Sequence, residues 1–266
     1  MKSDKMKIVM KLGGSVITKK DADNFPSDIN EIRTRADEFI NVDVVERIGR
    51  EISEALKETT IQLVLVNGAG PFGHYLVRNK QPLQIVHESV KILNERIIKH
   101  LNSDLSNGLK IESMAPNETC EWKDERFVSD ELWTRGQKAV RSGKILSTYG
   151  DILEGYKVIS GDDLAVLLAE LWHADRIIMV TDVDGVFTKD PKVHRDAKPI
   201  KRFDSGMEVQ YSGVGIDVTG GMASKVEKLG LAAKHGIKSQ IISGLIAGNV
   251  KAALVGDERI GTMMKG

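Results

Sequence analysis

Two short apolar runs, each ending in a glycine turn, constrain the fold of this chain more than any other feature. The first is Lys7-Ile8-Val9-Met10-Lys11-Leu12 before Gly13-Gly14-Ser15, and the second is Gln62-Leu63-Val64-Leu65-Val66 before Asn67-Gly68-Ala69-Gly70. Such runs are typical of parallel strands that are buried on both faces of a sheet. Glycines at a strand end let the backbone approach a ligand, and free N–H groups beside a helix start bind anions. The two turns therefore predict two phosphate-binding loops at one sheet edge, as phosphoryl transfer requires.

Hydrophobic periodicity predicts helices that alternate with strands along the rest of the chain. The predicted helices are 42–56, 89–105, 164–172, 224–234 and 250–254, and the further strands are 176–180 and 239–242. This alternation predicts a mostly parallel sheet covered by helices on both faces, in one compact sandwich. The polar segment 21–41 is expected to be a surface hairpin, a lid or a largely mobile stretch. The segment 117–141 is expected to form a strand pair followed by a helix.

The composition excludes several classes of function. Lysine plus arginine and aspartate plus glutamate both number 38 among 266 residues, so no overall field favours nucleic acid or membrane binding. No apolar run approaches the roughly 20 residues of a membrane span, and the first residues lack a signal-peptide core. The single cysteine, Cys120, cannot form an internal disulfide. We expect a cytoplasmic protein with no nucleic-acid or membrane partner.

A third glycine turn strengthens the prediction of phosphate binding. Asp217-Val218-Thr219-Gly220-Gly221 precedes a predicted helix that carries Lys225 near its start. A strand-end lysine such as Lys11 is usually solvated, and a lone histidine such as His74 is usually structural. Three glycine turns, each with a basic residue nearby, are much harder to explain by chance. The spacing fits neither a Walker loop nor a dinucleotide-binding fingerprint, which Pro71 interrupts.

Two groups of carboxylates allow more than one interpretation. In Ser160-Gly161-Asp162-Asp163, one aspartate is expected to cap the following helix and the other to orient a catalytic lysine. In Thr181-Asp182-Val183-Asp184-Gly185, the carboxylates could form a turn, bind a metal or contact a nucleotide.

Taken in order, these motifs resemble the amino acid kinase superfamily. The resemblance rests on residues 11–15, 68–70, 181–186 and 217–222 with Lys225, and on the loop Thr188-Lys189-Asp190-Pro191. Residues 70–74, 149–151 and 159–163 are most similar to archaeal isopentenyl phosphate kinases. The chain departs from those kinases at Asn67, at 75–88 and at 117–141, all on the acceptor side.

The resemblance implies an α/β fold, an open αβα sandwich with a mainly parallel central sheet, in a single domain spanning 1–266. It implies that about 1–150 forms the acceptor side and about 151–266 the ATP side. By matching position, the catalytic residues would be Lys11, Lys20, His74, Asp162 and Lys225. The nucleotide would contact Lys11, Gly13, Gly14, Ser15, Gly70, Asp182, Gly221 and Lys225, and the acceptor would contact Ala69, His74 and Gly150.

The function implied is ATP-dependent phosphoryl transfer to a small monophosphate, with isopentenyl phosphate as the first hypothesis. Mg²⁺ is expected as the counter-ion of ATP, with no metal held by the protein, and a homodimer is implied. One alternative is a kinase for another small phosphate or phosphonate, as in the related fosfomycin kinases. Another is a nucleotide-binding storage or regulatory protein of the same fold. An apolar tunnel ending near His74 would favour the isoprenoid acceptor.

Overall fold

The computed structural model of the chain describes residues 5–19, 24–103, 108–123, 126–128, 130–153, 157–204 and 220–265. Within these ranges the helices are α1 (Gly14–Ile17), α2 (Ile29–Arg35), α3 (Val42–Glu58), α4 (Pro71–Arg78), α5 (Leu83–Leu101), α6 (Pro116–Thr119), α7 (Asp130–Arg141), α8 (Gly161–Trp172), α9 (Gly220–Lys234) and α10 (Asn249–Leu254). The strands are β1 (Met6–Leu12), β2 (Ile61–Asn67), β3 (Ile111–Ser113), β4 (Glu121–Lys123), β5 (Arg126–Val128), β6 (Ile145–Tyr149), β7 (Asp151–Leu153), β8 (Lys157–Ile159), β9 (Arg176–Thr181), β10 (Val186–Phe187), β11 (Pro199–Ile200), β12 (Arg202–Asp204), β13 (Lys238–Ser243) and β14 (Thr262–Lys265).

The main sheet carries the site. Among the described residues, eight strands pair in the order β12-β14-β13-β9-β1-β2-β6-β3. All neighbouring pairs are parallel except β13 and β14, which are antiparallel. The predicted open αβα sandwich with a mainly parallel sheet is therefore confirmed. Within the ranges given above, no helix is long and apolar enough to cross a lipid bilayer.

Side-chain alternation along the central strands assigns a helical layer to each face of the sheet. Ile8 and Met10 of β1 belong to a buried cluster that includes apolar residues of α3 and α5. Val9 belongs to a second buried cluster, with apolar residues of α7, α8 and α9. Since both faces of β1 are covered, its central residues Ile8, Val9 and Met10 are apolar in succession instead of alternating with polar ones.

The strand register brings the loops of the site together. Leu12 at the end of β1 lies opposite Asn67 of β2 on one side and Val180 of β9 on the other. Asn67 in turn lies opposite Tyr149 of β6. The residues that follow β1, β2, β6 and β9 therefore emerge side by side at one edge of the sheet.

The hairpin expected for the polar segment 21–41 is wrong over its described part, 24–41, and the lid stays a prediction. This part contains helix α2 and a 3₁₀ helix, Ala36–Phe39, and its apolar side chains join the core. Phe25 packs its ring edge-on against Phe39 at 4.9 Å and Phe72 at 4.8 Å between centroids. Burial of these aromatic rings fixes the segment despite its many charges. Residues 21–23 lie outside the described residues.

The other sequence-predicted elements are confirmed, with shifted ends. The strand pair and helix expected within 117–141 are β4, β5 and α7. The helix expected from Ser89 already begins at Leu83, directly after Pro82, and ends at Leu101. Pro82 is the N-cap, and proline disfavours helical geometry in the residue before it, so the helix begins at this point.

Candidate functional site

The glycine turns after β1 and β2 pack directly against each other. The Gly13 N–H donates to Val180 O at 2.8 Å, and the Gly68 N–H donates to Leu12 O at 2.8 Å. A Cβ added to Gly14 would lie 2.6 Å from the backbone nitrogen of Gly70, a distance that real side chains do not tolerate. Gly70 itself has a φ of +49° and is the N-cap of α4. Glycine is required here because two backbones meet without room for a side chain.

We expect Gly14→Ala to lower the free energy of unfolding by about 3 kcal/mol, since the added methyl group would overpack one backbone against another. Gly248→Ala is the matched comparison. Its φ of +87° strains alanine, but an added Cβ would meet open space, so about 1 kcal/mol is expected. Urea denaturation of both variants measures the difference, and equal losses would contradict the packing argument.

Two lysines converge on one buried carboxylate beside these loops. Asp162, in the first turn of α8, forms ion pairs with Lys11 Nζ at 2.8 Å through Oδ1 and with Lys225 Nζ at 3.1 Å through Oδ2. Lys11 comes from the end of β1, and Lys225 comes from α9, where its Nζ also donates to Gly221 O at 3.0 Å. Three separate elements therefore place two ammonium groups around a single aspartate.

The electrostatics of this group follow from its burial. Burial lowers the pKa of Lys11, and the charges of Lys225 and Lys228 lower it further against the attraction of Asp162. Burial alone would raise the pKa of Asp162, but Lys11 and Lys225 outweigh it and hold the pKa below its ordinary value. The site therefore has a surplus of positive charge in a poorly hydrated place, which suits an anionic ligand.

Two clefts meet at this lysine group. The first, the β9 cleft, has a volume of about 370 Å³ and lies between the turn after β1, the loops after β9 and the start of α9. Its walls include Gly14, Ser15, Asp182, Lys189, Lys192 and Gly221. Asp182 accepts a hydrogen bond from Ser15 Oγ at 3.1 Å and pairs with Lys192 at 2.5 Å. Glycine turns, a serine hydroxyl and lysines are the groups that bind nucleotide phosphates.

The second, the α5 cleft, has a volume of about 390 Å³. At one end lie Lys11, Asp162 and Lys225, and along its length lie the apolar side chains Val77, Val86, Val90, Ile152, Val158 and Ile159. His74, Gly221 and Lys225 line both clefts, so the two are continuous. The α5 cleft thus combines a charged end with an apolar wall.

His74 projects from α4 at the junction of the clefts. Partial burial lowers the pKa of its imidazole, and the charges of Lys11, Arg78 and Lys225 lower it further. The ring is therefore neutral near pH 7 without a ligand. An anion bound beside it would oppose these effects and favour the imidazolium.

The structure brings together most of the site residues expected from the sequence. Lys11, Gly14, Ser15, Ala69, Gly70, His74, Gly150, Asp162, Asp182, Gly221 and Lys225 line one or both clefts. Gly13 lies behind them, where its N–H bonds to β9. Lys20 lies outside the described residues, as do Asp217-Val218-Thr219.

The cap of α8 differs from the prediction. Ser160 is the N-cap, and its Oγ accepts from the backbone N–H of Asp163 at 3.1 Å. Neither aspartate caps the helix, because the serine hydroxyl already fills that position. Both carboxylates pair with lysines, Asp162 as described and Asp163 through Oδ1 with Lys228 Nζ at 2.6 Å, while Asp163 Oδ2 accepts a hydrogen bond from Ser160 Oγ.

Sequence reasoning missed several polar residues of the clefts. Lys192 and Lys228 carried no motif signal, although Lys228 follows Lys225 by one helical turn. Asp151 lines the α5 cleft, and its Oδ1 pairs with Nδ1 of His87 of α5 at 2.8 Å. This hydrogen bond raises the pKa of His87. No local pattern predicts a pairing between residues so distant along the chain.

The fold and the two joined clefts are those of a small-molecule kinase. The chain belongs to the Amino acid kinase family, which it matches over residues 6–243. The resemblance drawn from the sequence motifs is thereby confirmed.

Two curated relatives and one solved structure are similar to this chain over nearly its whole length. The chain is 31% identical to the isopentenyl phosphate kinase of Methanothermobacter thermautotrophicus, over 97% of this chain and 99% of that protein. It is 29% identical to the isopentenyl phosphate kinase of Methanocaldococcus jannaschii, over 95% and 96% of the two chains. A crystal structure of isopentenyl phosphate kinase matches at a TM-score of 0.76 and 30% identity, over 97% of this chain and all of that one.

Within the described part of the chain, no group of three or more histidine, cysteine, aspartate or glutamate side chains could hold a metal ion.

Proposed function

We propose that this chain is an ATP-dependent kinase that phosphorylates isopentenyl phosphate, giving isopentenyl diphosphate and ADP. The observation that carries the proposal is the α5 cleft, which joins a cationic end to an apolar wall. The end at Lys11, His74 and Lys225 suits a phosphate group, and the wall of valines and isoleucines suits a short hydrocarbon tail. A small polar phosphonate such as fosfomycin would leave this apolar wall in contact with water. The relatives named above support the same acceptor.

The β9 cleft is proposed as the ATP site. Gly14, Ser15 and Gly221 would approach the phosphates, while Asp182 and Lys192 would lie further along the nucleotide. Lys225 lines both clefts, so its ammonium is proposed to contact the γ-phosphate as it passes from donor to acceptor. Lys20 is proposed to assist transition-state stabilisation, on the resemblance alone.

The reaction forms a bond between an acceptor phosphate oxygen and the γ-phosphorus and breaks the bond from that phosphorus to the β–γ bridging oxygen. The attacking oxygen is already anionic near pH 7, so no strong base is needed. The main barrier is repulsion between two anions, which Lys11 and Lys225 would relieve. Asp162 would hold both ammonium groups in place, and His74 would donate a hydrogen bond to the acceptor phosphate.

Mg²⁺ is proposed to enter on the phosphates of ATP and to neutralise part of their charge. Asp182 lies in the β9 cleft, where it pairs with Lys192 and accepts a hydrogen bond from Ser15 Oγ. The homodimer and the cytoplasmic location expected from the sequence stay predictions.

The test is ADP release with Mg²⁺ and ATP in parallel reactions with isopentenyl phosphate and fosfomycin. Saturable turnover with isopentenyl phosphate alone, with the diphosphate seen by phosphorus NMR, is the expected result. Turnover with fosfomycin alone would move the function to a phosphonate kinase. ATP binding without turnover on any acceptor would favour a nucleotide-binding protein of this fold.

Acceptor binding is expected to be coupled to proton uptake by His74. The neutral imidazole should become an imidazolium beside the bound phosphate, since the pKa lowered in the free site rises with a dianion present. Calorimetry near pH 7 in two buffers of different ionisation enthalpy measures the protons taken up. His74→Asn keeps a hydrogen-bond donor but cannot be protonated, so its uptake should fall. Equal uptake by both proteins would contradict a contact between His74 and the phosphate.

A further inference from the structure

Lys228 lies on the same face of α9 as Lys225, three residues further along the helix. This spacing corresponds to almost one helical turn, or about 4.5 Å along the axis. Lys225 lines both clefts, whereas Lys228 lines the α5 cleft and is not among the residues that line the β9 cleft. The position of Lys228 therefore associates it with the proposed acceptor and not with the nucleotide.

Lys228 forms an ion pair with Asp163 that a bound phosphate could replace. Its Nζ lies 2.6 Å from Asp163 Oδ1 and 3.5 Å from Ser160 Oγ, with the lysine side chain 25% exposed and the aspartate 42% exposed. Partly exposed ion pairs contribute little to stability, since water competes for both partners. A doubly charged phosphate in the cleft can attract the ammonium group more strongly than one solvated carboxylate does.

We propose that Lys228 binds the phosphate of the acceptor in the α5 cleft, and that Asp163 and Ser160 hold its ammonium group near this position before the acceptor arrives. The inference rests on the proposed function and extends it, because it assigns the acceptor a cation of its own. Two adjacent carboxylates then serve two purposes. Asp162 organises Lys11 and Lys225 for transfer, and Asp163 keeps Lys228 ready for the acceptor.

In the free site, the charge of Lys228 already acts on the ammonium group of Lys11, because it contributes to lowering the pKa of Lys11. Neutralisation of Lys228 by a bound phosphate would reverse part of this effect and favour the charged form of Lys11. Acceptor binding would in this way strengthen the cation that the transferred group needs.

The test compares variants that break the same ion pair from opposite sides. Lys228→Met should raise the KM for isopentenyl phosphate about tenfold, the loss expected for one charge-assisted hydrogen bond, with the KM for ATP unchanged. Asp163→Asn should raise the KM for isopentenyl phosphate much less than Lys228→Met does, since the ammonium group remains and Ser160 Oγ still holds it. Lys228→Arg should restore most of the affinity. Lys234→Met, which removes the same charge from the exposed end of the same helix, should behave as the wild type.

Equal kinetic effects of Lys228→Met and Asp163→Asn would overturn the inference, because they would identify the pair as a structural link between α8 and α9. A rise in the KM for ATP with Lys228→Met would overturn it as well. If the wild-type protein shows no turnover with isopentenyl phosphate, the proposed function fails by itself. Calorimetric binding of isopentenyl phosphate to the wild-type protein and to Lys228→Met then decides the inference, and binding that is absent from the wild type or equal in both would overturn it.

Discussion

Lys11→Met is expected to lower kcat about a thousandfold while the protein stays folded, comparable to the loss of a strong electrostatic contact in other transition states. Lys11 is 6% exposed, and its Nζ lies 2.8 Å from Asp162 in the middle of the lysine group. Methionine fills nearly the same volume as lysine, so the side chain at position 11 should still pack against α8. Loss of the Lys11 charge should raise the free-energy barrier to phosphoryl transfer, because this charge stabilises the negative charge of the transition state. Single-turnover measurements of ADP formation separate this chemical step from binding.

Lys7→Met is the matched control for Lys11→Met. Lys7 lies on the same strand but near its opposite end, where its Nζ donates to Trp172 O at 3.2 Å. Its replacement should change kcat less than twofold, and thermal unfolding of both variants checks that the fold is kept. An unchanged turnover for Lys11→Met at saturating ATP, with only ATP affinity lost, would show that Lys11 binds the ground state and does not stabilise transfer.

The central strands were predictable because their signal is local. Ile8 to Met10 and Leu63 to Val66 are apolar at every position, and such runs need cover on both faces of a sheet. The glycine turns were equally local, since their role follows from the missing side chain. The two strands at the β12 end of the sheet were not predictable in this way. β12 and β14 are short, and their pairing, including the antiparallel contact of β13 with β14, depends on tertiary neighbours.

The segment that contains α2 shows how a local signal can be overlooked among charges. Asp28 caps α2 by accepting from the N–H groups of Asn30 and Glu31, and Ile32 is buried one turn later. An acidic cap before a buried apolar residue is a recognisable helix start. The density of charged residues nevertheless favoured an interpretation as a surface hairpin, a lid or a mobile stretch.

The sequence alone could not show which lysines pair with Asp162 and which with Asp163. Asp162 and Asp163 are both in the first turn of α8 and differ by about 100° around the helix axis. That rotation directs Asp162 towards Lys11 and Lys225 and Asp163 towards Lys228. The packing of β1 and α9 against α8 determines which lysines each carboxylate meets. The same reason explains why Lys228 went unnoticed beside Lys225.

Asp162→Asn is expected to lower kcat about a hundredfold and to move the alkaline limb of the pH–rate profile to lower pH. The carboxylate opposes the depression of the pKa of Lys11, so its loss should leave that pKa lower still. A larger share of Lys11 would then be neutral at a given alkaline pH, and transfer would lose its cation. Asparagine keeps the shape of the side chain, so the effect reports charge. Measurement of kcat/KM for ATP between about pH 6 and 10 gives the position of the limb.

Asp163→Asn is the control for Asp162→Asn, because it removes the neighbouring carboxylate, which pairs with Lys228 instead of Lys11. Its alkaline limb should stay close to that of the wild type, and equal shifts in both variants would contradict the role given to Asp162.

The pH dependence of the free energy of unfolding supplies an independent check on Asp162. The pKa of Asp162 is below its ordinary 3.8 in the fold, so the stabilisation from its charge is complete above about pH 4 and is lost as the pH falls through the folded-state value. The stability difference between the wild type and Asp162→Asn should therefore be largest near neutral pH and should shrink in acid, whereas a structural defect caused by asparagine would persist at low pH.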